Sequence, residues 1–365
     1  MSEHHIEVNK LDEKKKKSLA NRLIVAGVLI VLAVPALILG GWFWFAFITL
    51  ALGVAVYEVM KAPQKKFHPA IWVATYIFVY SYFAWFMIKY NVAEYLRIQS
   101  VNSMGGSEVW NWSLTDYFDG IWVSIYAVIT AFGVYCLFAI INKDFTWADA
   151  CYLFGMGLFV GVGFQAFLFV RYYPFALLYQ DQNGLITNGA HFVNPTCDDP
   201  YYASPLFKYF GSCVFLIYCV LVACLNDAFA YFVGVFLGKH HMNERISPNK
   251  TWEGFFGGWI LSALAAFGFA AICDFNGFPL LPAMRIFGEG AQWWWTVLLS
   301  LLLPLIGVLG DFTFSLIKRF YGFKDYSHVL GAHGGILDRA DSIVFILLIA
   351  SVFAVFTSQG WNFFA

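Results

Sequence analysis

Between Asp311 and Asp341 the chain carries four acids, Asp311, Asp325, Asp338 and Asp341, and four bases, Lys318, Arg319, Lys324 and Arg339. Only 12% of the whole protein is charged, so this segment concentrates what the rest lacks. Asp338 and Asp341 stand at i and i+3, which on a helix places them on one face. With Asp311 they offer the hard oxygens that Mg²⁺ takes, a few carboxylates completed by substrate phosphates. The four bases have no metal role. Arginine matches phosphate oxygens as a fork and lysine as a point charge. Gly334 and Gly335 let the backbone approach a ligand closely. Acids, bases and glycines without a Ser-His-Asp or Cys-His array point to chemistry at phosphorus, where positioning and charge neutralisation matter most. The competing reading is a solvated loop whose charges pair with one another. Equal numbers of acids and bases fit that reading; three aspartates gathered at two helix ends argue against it.

A second constellation runs from Asn226 to Gly258. Asn226 and Asp227 interrupt an apolar run from Leu206 to Gly238, about 50 Å long as a helix and too long for one straight span. The helix either projects beyond the membrane or breaks near Asn226. A carboxylate at membrane depth is costly and marks a functional candidate, against the plainer reading of an aspartate hydrated at a helix end. In "SPNKTWE", Ser247 reads as an N-cap and Pro248 as the first helical residue. A helix N-terminus beside Lys250 suits a phosphate, although an ordinary cap with a membrane-flanking lysine has the same sequence. The adjacent His240 and His241 read as a solvated surface pair.

The elements that must hold these residues are membrane helices. The 365-residue chain is 60% hydrophobic and 20% aromatic, whereas soluble domains average about 45–50% apolar and about 25% charged. With about 20 apolar residues per crossing, nine candidate spans emerge: 22–39, 41–60, 69–89, 120–141, 150–170, 207–226, 254–273, 293–310 and 342–358. The fold class is therefore all-α and polytopic, with about nine transmembrane helices. Residues 1–21 form a basic N-terminal tail and 22–365 one membrane domain, whose catalytic part spans about 206–345. Lys14 to Lys17 place the N-terminus in the cytosol by the positive-inside rule. Alternation then puts Lys61, Lys65 and Lys66 inside, the Lys- and Arg-free loop Tyr172–Ser204 outside, and the C-terminus outside. Both chemical segments fall on the cytosolic face, and Trp293 to Trp295 fall at the outer interface. The seven cysteines show no metal-ligand spacing and read as small buried residues. The net charge of −1 gives no sign of an acidic or basic partner, and nucleic acid is not expected as one.

The stretch "SLIKRFYGFKDYSHVLGAHGGILDRAD", Ser315 to Asp341, resembles the signature of CDP-diacylglycerol synthases, also called phosphatidate cytidylyltransferases. Ser315, Lys318, Arg319, Lys324, Asp325, His333, Gly334, Gly335, Asp338, Arg339 and Asp341 match it in identity and spacing. "NDAFAY" and "ISPNKTWEGFFGG" are similar to a second characteristic block, which adds Thr251 and Glu253 to Asp227, Ser247 and Lys250 as substrate-binding candidates. The chain departs from the usual pattern at Gly331-Ala332, Ala340 and Phe314. The resemblance implies cytidylyl transfer from CTP to phosphatidate, giving CDP-diacylglycerol and pyrophosphate. It also implies a two-cation site on Asp311 and Asp338 with Asp341 close by, one cation Mg²⁺ and the other Mg²⁺ or a monovalent ion. Lys318, Arg319, Lys324 and Arg339 would neutralise phosphates, Asp325 would belong to the catalytic set, Ser315, Gly334 and Gly335 would line the substrates, and His333 would bind phosphate or orient the loop. Lys250 would hold one of the two anionic substrates. A homodimer is compatible with this family, as is either the bacterial cell membrane or the endoplasmic reticulum.

Two other classes compete. A CTP-dependent polyprenol or phytol kinase, or an archaeol-type cytidylyltransferase, could use a related scaffold. An ion-coupled transporter would show inverted repeats and charges at mid-bilayer in both halves, and the spans before residue 200 read as almost free of buried charge.

Overall fold

The computed structural model describes residues 27–84, 121–176, 212–243, 245–281, 284–288, 291–331 and 334–358. The basic tail, the loop from 177 to 204, Cys197 and His333 lie outside the described residues. Nine helices stand among the described residues, in the nine segments expected: α1 Gly27–Leu39, α2 Gly41–Lys61, α3 Pro69–Ala84, α4 Ile121–Ile141, α5 Trp147–Ala176, α6 Ser212–Leu237, α7 Trp252–Phe275, α8 Trp293–Phe320 and α9 Leu337–Ser358. Six of them, α2 and α5 to α9, are long and apolar enough to cross a membrane. Exposed apolar side chains such as Leu50, Ile77, Ile140, Phe236, Leu264 and Phe275 cover the outside, as a surface meant for lipid requires.

Helix α6 packs along α7, α9 against α8 and α5, and α2 against α5. Small residues let these helices approach, because between membrane helices close packing replaces the hydrophobic drive. A Cβ on Gly258 would meet the Ala230 backbone at 2.9 Å, and one on Gly254 would meet the Ala230 carbonyl at 2.7 Å. The same device joins α8 to α9, where a Cβ on Gly310 would lie 2.6 Å from the Asp341 carbonyl.

Of the two courses open to α6, the helix takes the projecting one: it does not break at Asn226 but runs unbroken to Leu237, and buried Asn226 donates to the Pro304 carbonyl of α8. Two expectations are corrected. Helix α8 does not end at Gly310. Its 28 residues continue to Phe320, so Asp311 lies inside a helix about 42 Å long. Asp311 is still about 27 Å from Trp293, close to one hydrocarbon thickness, and the last turns project beyond it. Finally, Ser247 is not an N-cap. Ser247–Thr251 is a strand, β2, antiparallel to β1, His241–Asn243, with His241 opposite Thr251 and Asn243 opposite Ser247. Thr251 is the actual cap: its side chain accepts from Gly254 N at 3.2 Å. The hairpin turn closes on Asn243, whose side chain accepts from Arg245 N and Ile246 N, and the extended backbone favoured before and at Pro248 suits a strand.

Candidate active site

Helices α6 and α8 end, and α7 and α9 begin, at one end of the bundle. The β-hairpin and the segment 321–336 connect them there, and the described candidate residues sit at this end. Asp227 on α6, Asp311 on α8 and Asp341 on α9 lie within electrostatic reach of one another. Asp227 is exposed, Asp311 half-buried and Asp341 buried. The bases surround them. Lys250 and Arg339 act on Asp227, and Lys318 acts on Asp341.

Individual contacts separate these residues into two groups. In the open group, strand β2 delivers Lys250 to α8, where its ammonium pairs with Asp311 Oδ2 and lies 4.5 Å from the Phe312 ring centroid. Ser315, one turn along α8, donates to Asp311 Oδ1 at 3.2 Å. Asp341 Oδ1 accepts, among the described residues, from its neighbour, the Ser342 amide at 2.8 Å and hydroxyl at 3.2 Å. In the anchored group, Asp338 accepts from Lys318 Nζ at 2.9 Å, Tyr326 N at 2.8 Å and Gly335 N at 2.9 Å. The Lys318 and Asp338 side chains are only 10% and 5% exposed, so this pair clamps the segment from inside.

The remaining candidates hold the frame. Arg319 donates from Nε to the Ile246 carbonyl at 3.3 Å and from Nη1 to the Phe323 carbonyl at 3.1 Å, tying the hairpin to the end of α8. Glu253 accepts from Lys239 N and His240 N and pairs with His240 Nδ1 at 2.5 Å, so the exposed histidine fastens the turn into β1. Lys324 and Asp325 are exposed in the turn after α8. Gly334 holds φ 79°, a left-handed conformation that glycine takes without strain. Burial pushes the Tyr326 hydroxyl above the usual tyrosine range; it is buried without a hydrogen-bond partner among the described residues, close to Asp338 and Asp341.

Sequence reasoning missed Glu58. This α2 residue is fully buried, and its carboxylate accepts from Ser327 Oγ, Ile336 N and Leu337 N. A single acid in an apolar span was its one signal. Asp149 and Arg171 are likewise buried, which corrects the expectation that the early spans are almost free of charge. Each has a partner: Asp149 pairs with Lys65 at 2.7 Å and accepts from Thr146, and Arg171 donates to the Leu37 carbonyl. They join helices instead of lining a path.

Among the described residues no three acidic, histidine or cysteine side chains converge tightly enough to hold a metal alone. The donor chemistry nevertheless fits Mg²⁺. Asp227, Asp311 and Asp341 supply hard oxygens from three helices, and the Lys250 ammonium pairs with Asp311. An ion that keeps water and binds through one or two carboxylates plus phosphates needs no preformed cage.

The description of the cytidylyltransferase family matches residues 20–357. The phosphatidate cytidylyltransferase of Staphylococcus haemolyticus is 29% identical over 240 residues, which cover 65% of this chain and 72% of the relative. That of Staphylococcus aureus is 28% identical over the same shares. That of Staphylococcus saprophyticus is 36% identical over 141 residues, 39% of this chain and 49% of the relative. With a family match from the first helix to the last, around one acidic and basic end of a helical bundle, the chain belongs to the cytidylyltransferase family.

Proposed function

We propose that this membrane enzyme transfers the cytidylyl group of CTP to phosphatidate, giving CDP-diacylglycerol and pyrophosphate. The observation that carries this reading is the meeting of Asp227, Asp311 and Asp341 with Lys250, Lys318 and Arg339 at one end of an apolar bundle. Relatives named phosphatidate cytidylyltransferase support the choice of substrates. An oxygen of the phosphatidate phosphate attacks the α-phosphorus of CTP. The bond to the β-phosphate breaks, its electron pair leaves with pyrophosphate, and a phosphoanhydride forms. Phosphate monoesters are largely ionised near pH 7, with a second pKa of about 6, so the attack needs no protein base.

The chain's own part is to position and neutralise. Lys250 is placed to exchange the Asp311 carboxylate for a phosphate oxygen, and exposed Arg339 to meet the anion entering over Asp227. Asp227, Asp311 and Asp341 are the residues that would hold Mg²⁺, with Asp338 reaching it only through lone pairs that its three donors leave. Bound Mg²⁺ supplies charge neutralisation and a template for substitution at phosphorus. The short connections at the acidic end carry Lys61, Lys65, Lys66, Lys143, Lys239 and Arg245 besides the site bases, and such basic bias supports a cytosolic site.

The test is pyrophosphate release by the purified protein in detergent with CTP, phosphatidate and Mg²⁺. Release that depends on phosphatidate is expected. No release, or equal release when a polyprenol replaces phosphatidate, overturns the reading.

A further inference from the structure

We propose that Glu58 is a positioning residue for the reaction, holding in place the segment that carries Asp338 and Asp341. This inference rests on the proposed cytidylyl transfer. Glu58 belongs to α2, 269 residues before Ser327, and it lies far from the stretch in which the chemistry is written.

The first described helical residue of α9 is Leu337, and Ile336 stands at the N-cap position with its carbonyl accepting from Arg339 N and Ala340 N. Isoleucine has no side-chain acceptor and is among the poorest N-caps. The free amides at this helix start therefore need an acceptor from elsewhere. Glu58 provides it across the bundle: Oε1 accepts from Ile336 N at 2.9 Å and Oε2 from Leu337 N at 2.8 Å. Oε1 also accepts from Ser327 Oγ at 2.5 Å, at the other end of the connecting segment. A negative charge at a helix N-terminus is favourable in its own right. The fit leaves no space at Gly335, where a Cβ would collide with the Glu58 carboxylate.

Two features separate this from an ordinary structural contact. Among the described residues the partners of Glu58 are three neutral donors, with no cation among them, although a buried acid is costly and usually paired. The segment it grips is the one Asp338 grips from the other side, through Tyr326 N and Gly335 N. Between them the two carboxylates pin Ser327 to Leu337 and so set the direction of the first turns of α9. Asp341 stands one turn further on and faces Asp311 and Asp227 only if that direction is kept. Placement errors of this kind reduce turnover more than ground-state binding.

The test compares Glu58→Gln and Ser327→Ala with the wild-type chain in detergent. Glutamine keeps the volume and one acceptor oxygen but turns a donor toward the Ile336 and Leu337 amides. Glu58→Gln should lower kcat roughly 10-fold to 100-fold, as for the loss of a hydrogen bond to a charged group, with KM for CTP within about 3-fold on the premise that positioning acts mainly on turnover. Hydrogen exchange should quicken in peptides covering 327–337 and stay unchanged in α6 and α7. Ser327→Ala should move both readouts in the same direction and less. Wild-type kcat with unchanged exchange in Glu58→Gln, or in Ser327→Ala where the first variant does not fold, overturns the proposal. So does activity lost only in proportion to folded protein, with exchange quickened everywhere. Absence of pyrophosphate release from the wild-type chain would instead overturn the reaction on which the proposal rests.

Discussion

Replacing Asp338 by asparagine removes the charge that faces Lys318 while preserving the shape of the side chain. Both groups are nearly inaccessible, at 5% and 10% exposure, and their atoms approach to 2.9 Å. Removing one partner of such a pair leaves a buried charge uncompensated, which costs about 3–5 kcal/mol. The Tyr326 ring centroid, 5.7 Å from Lys318 Nζ, offers weak compensation. Lys318→Met has a milder effect, about 2 kcal/mol, because Asp338 keeps the Tyr326 and Gly335 amides. The double variant has no orphaned charge and should cost about 2–3 kcal/mol, well below the sum of the single changes, which is a coupling of about 3 kcal/mol. The assay is reversible unfolding in mixed SDS and maltoside micelles followed by tryptophan fluorescence, with pyrophosphate release measured on the same samples. Additive single effects would refute the pair as an anchor. An Asp338→Asn protein with wild-type stability and no turnover would also refute it, and would move Asp338 into the cation-binding set.

Other consequences concern the packing and the open group of charges. Gly310→Ala should destabilise by about 1–3 kcal/mol, the usual cost of overpacking, because its Cβ has only 2.6 Å to the Asp341 carbonyl; turnover should fall with it as α8 and α9 part, and unaltered unfolding and activity would argue against that contact. Thr251→Ala should cost about 1 kcal/mol of stability by loss of the α7 cap, read from the same unfolding curves, whereas Ser247→Ala should be close to neutral. Chelation with EDTA should abolish pyrophosphate release and excess Mg²⁺ restore it; activity that survives chelation would remove the cation from the reaction. Lys250→Met should raise KM for one anionic substrate about 10-fold, the value of one charge-assisted hydrogen bond, and the substrate whose KM moves identifies the anion that Lys250 holds.

Much of the bundle was legible before any coordinates. Apolar runs of membrane length are a local property of composition, and each expected span overlaps a helix, although α6 runs on to Leu237 and α8 to Phe320. The errors arose where local signals have two solutions. "SPNKT" satisfies the rules for a helix start, yet it pairs as a strand because β1 lies opposite and Thr251 caps α7 instead. Asp311 looked like a helix end because a charge interrupts the apolar run, but backbone hydrogen bonding continues through it to Phe320.

The amino-acid sequence alone determined which residues could act: the acids and bases of Asp311–Asp341, their spacing on α8 and α9, and their common end of the membrane. Tertiary structure alone decided how they divide. Lys318 and Asp338 became a buried clamp, Lys250 met Asp311 from a strand, and Arg319 and Glu253 became ties in the frame. Glu58 is the clearest case, since no local rule links an acid in α2 to a helix start 279 residues later. Hydropathy and helical spacing depend on neighbours in the chain, whereas the partner of a buried charge depends on which helices pack together. That choice is made only when the glycine-lined contacts bring them into register.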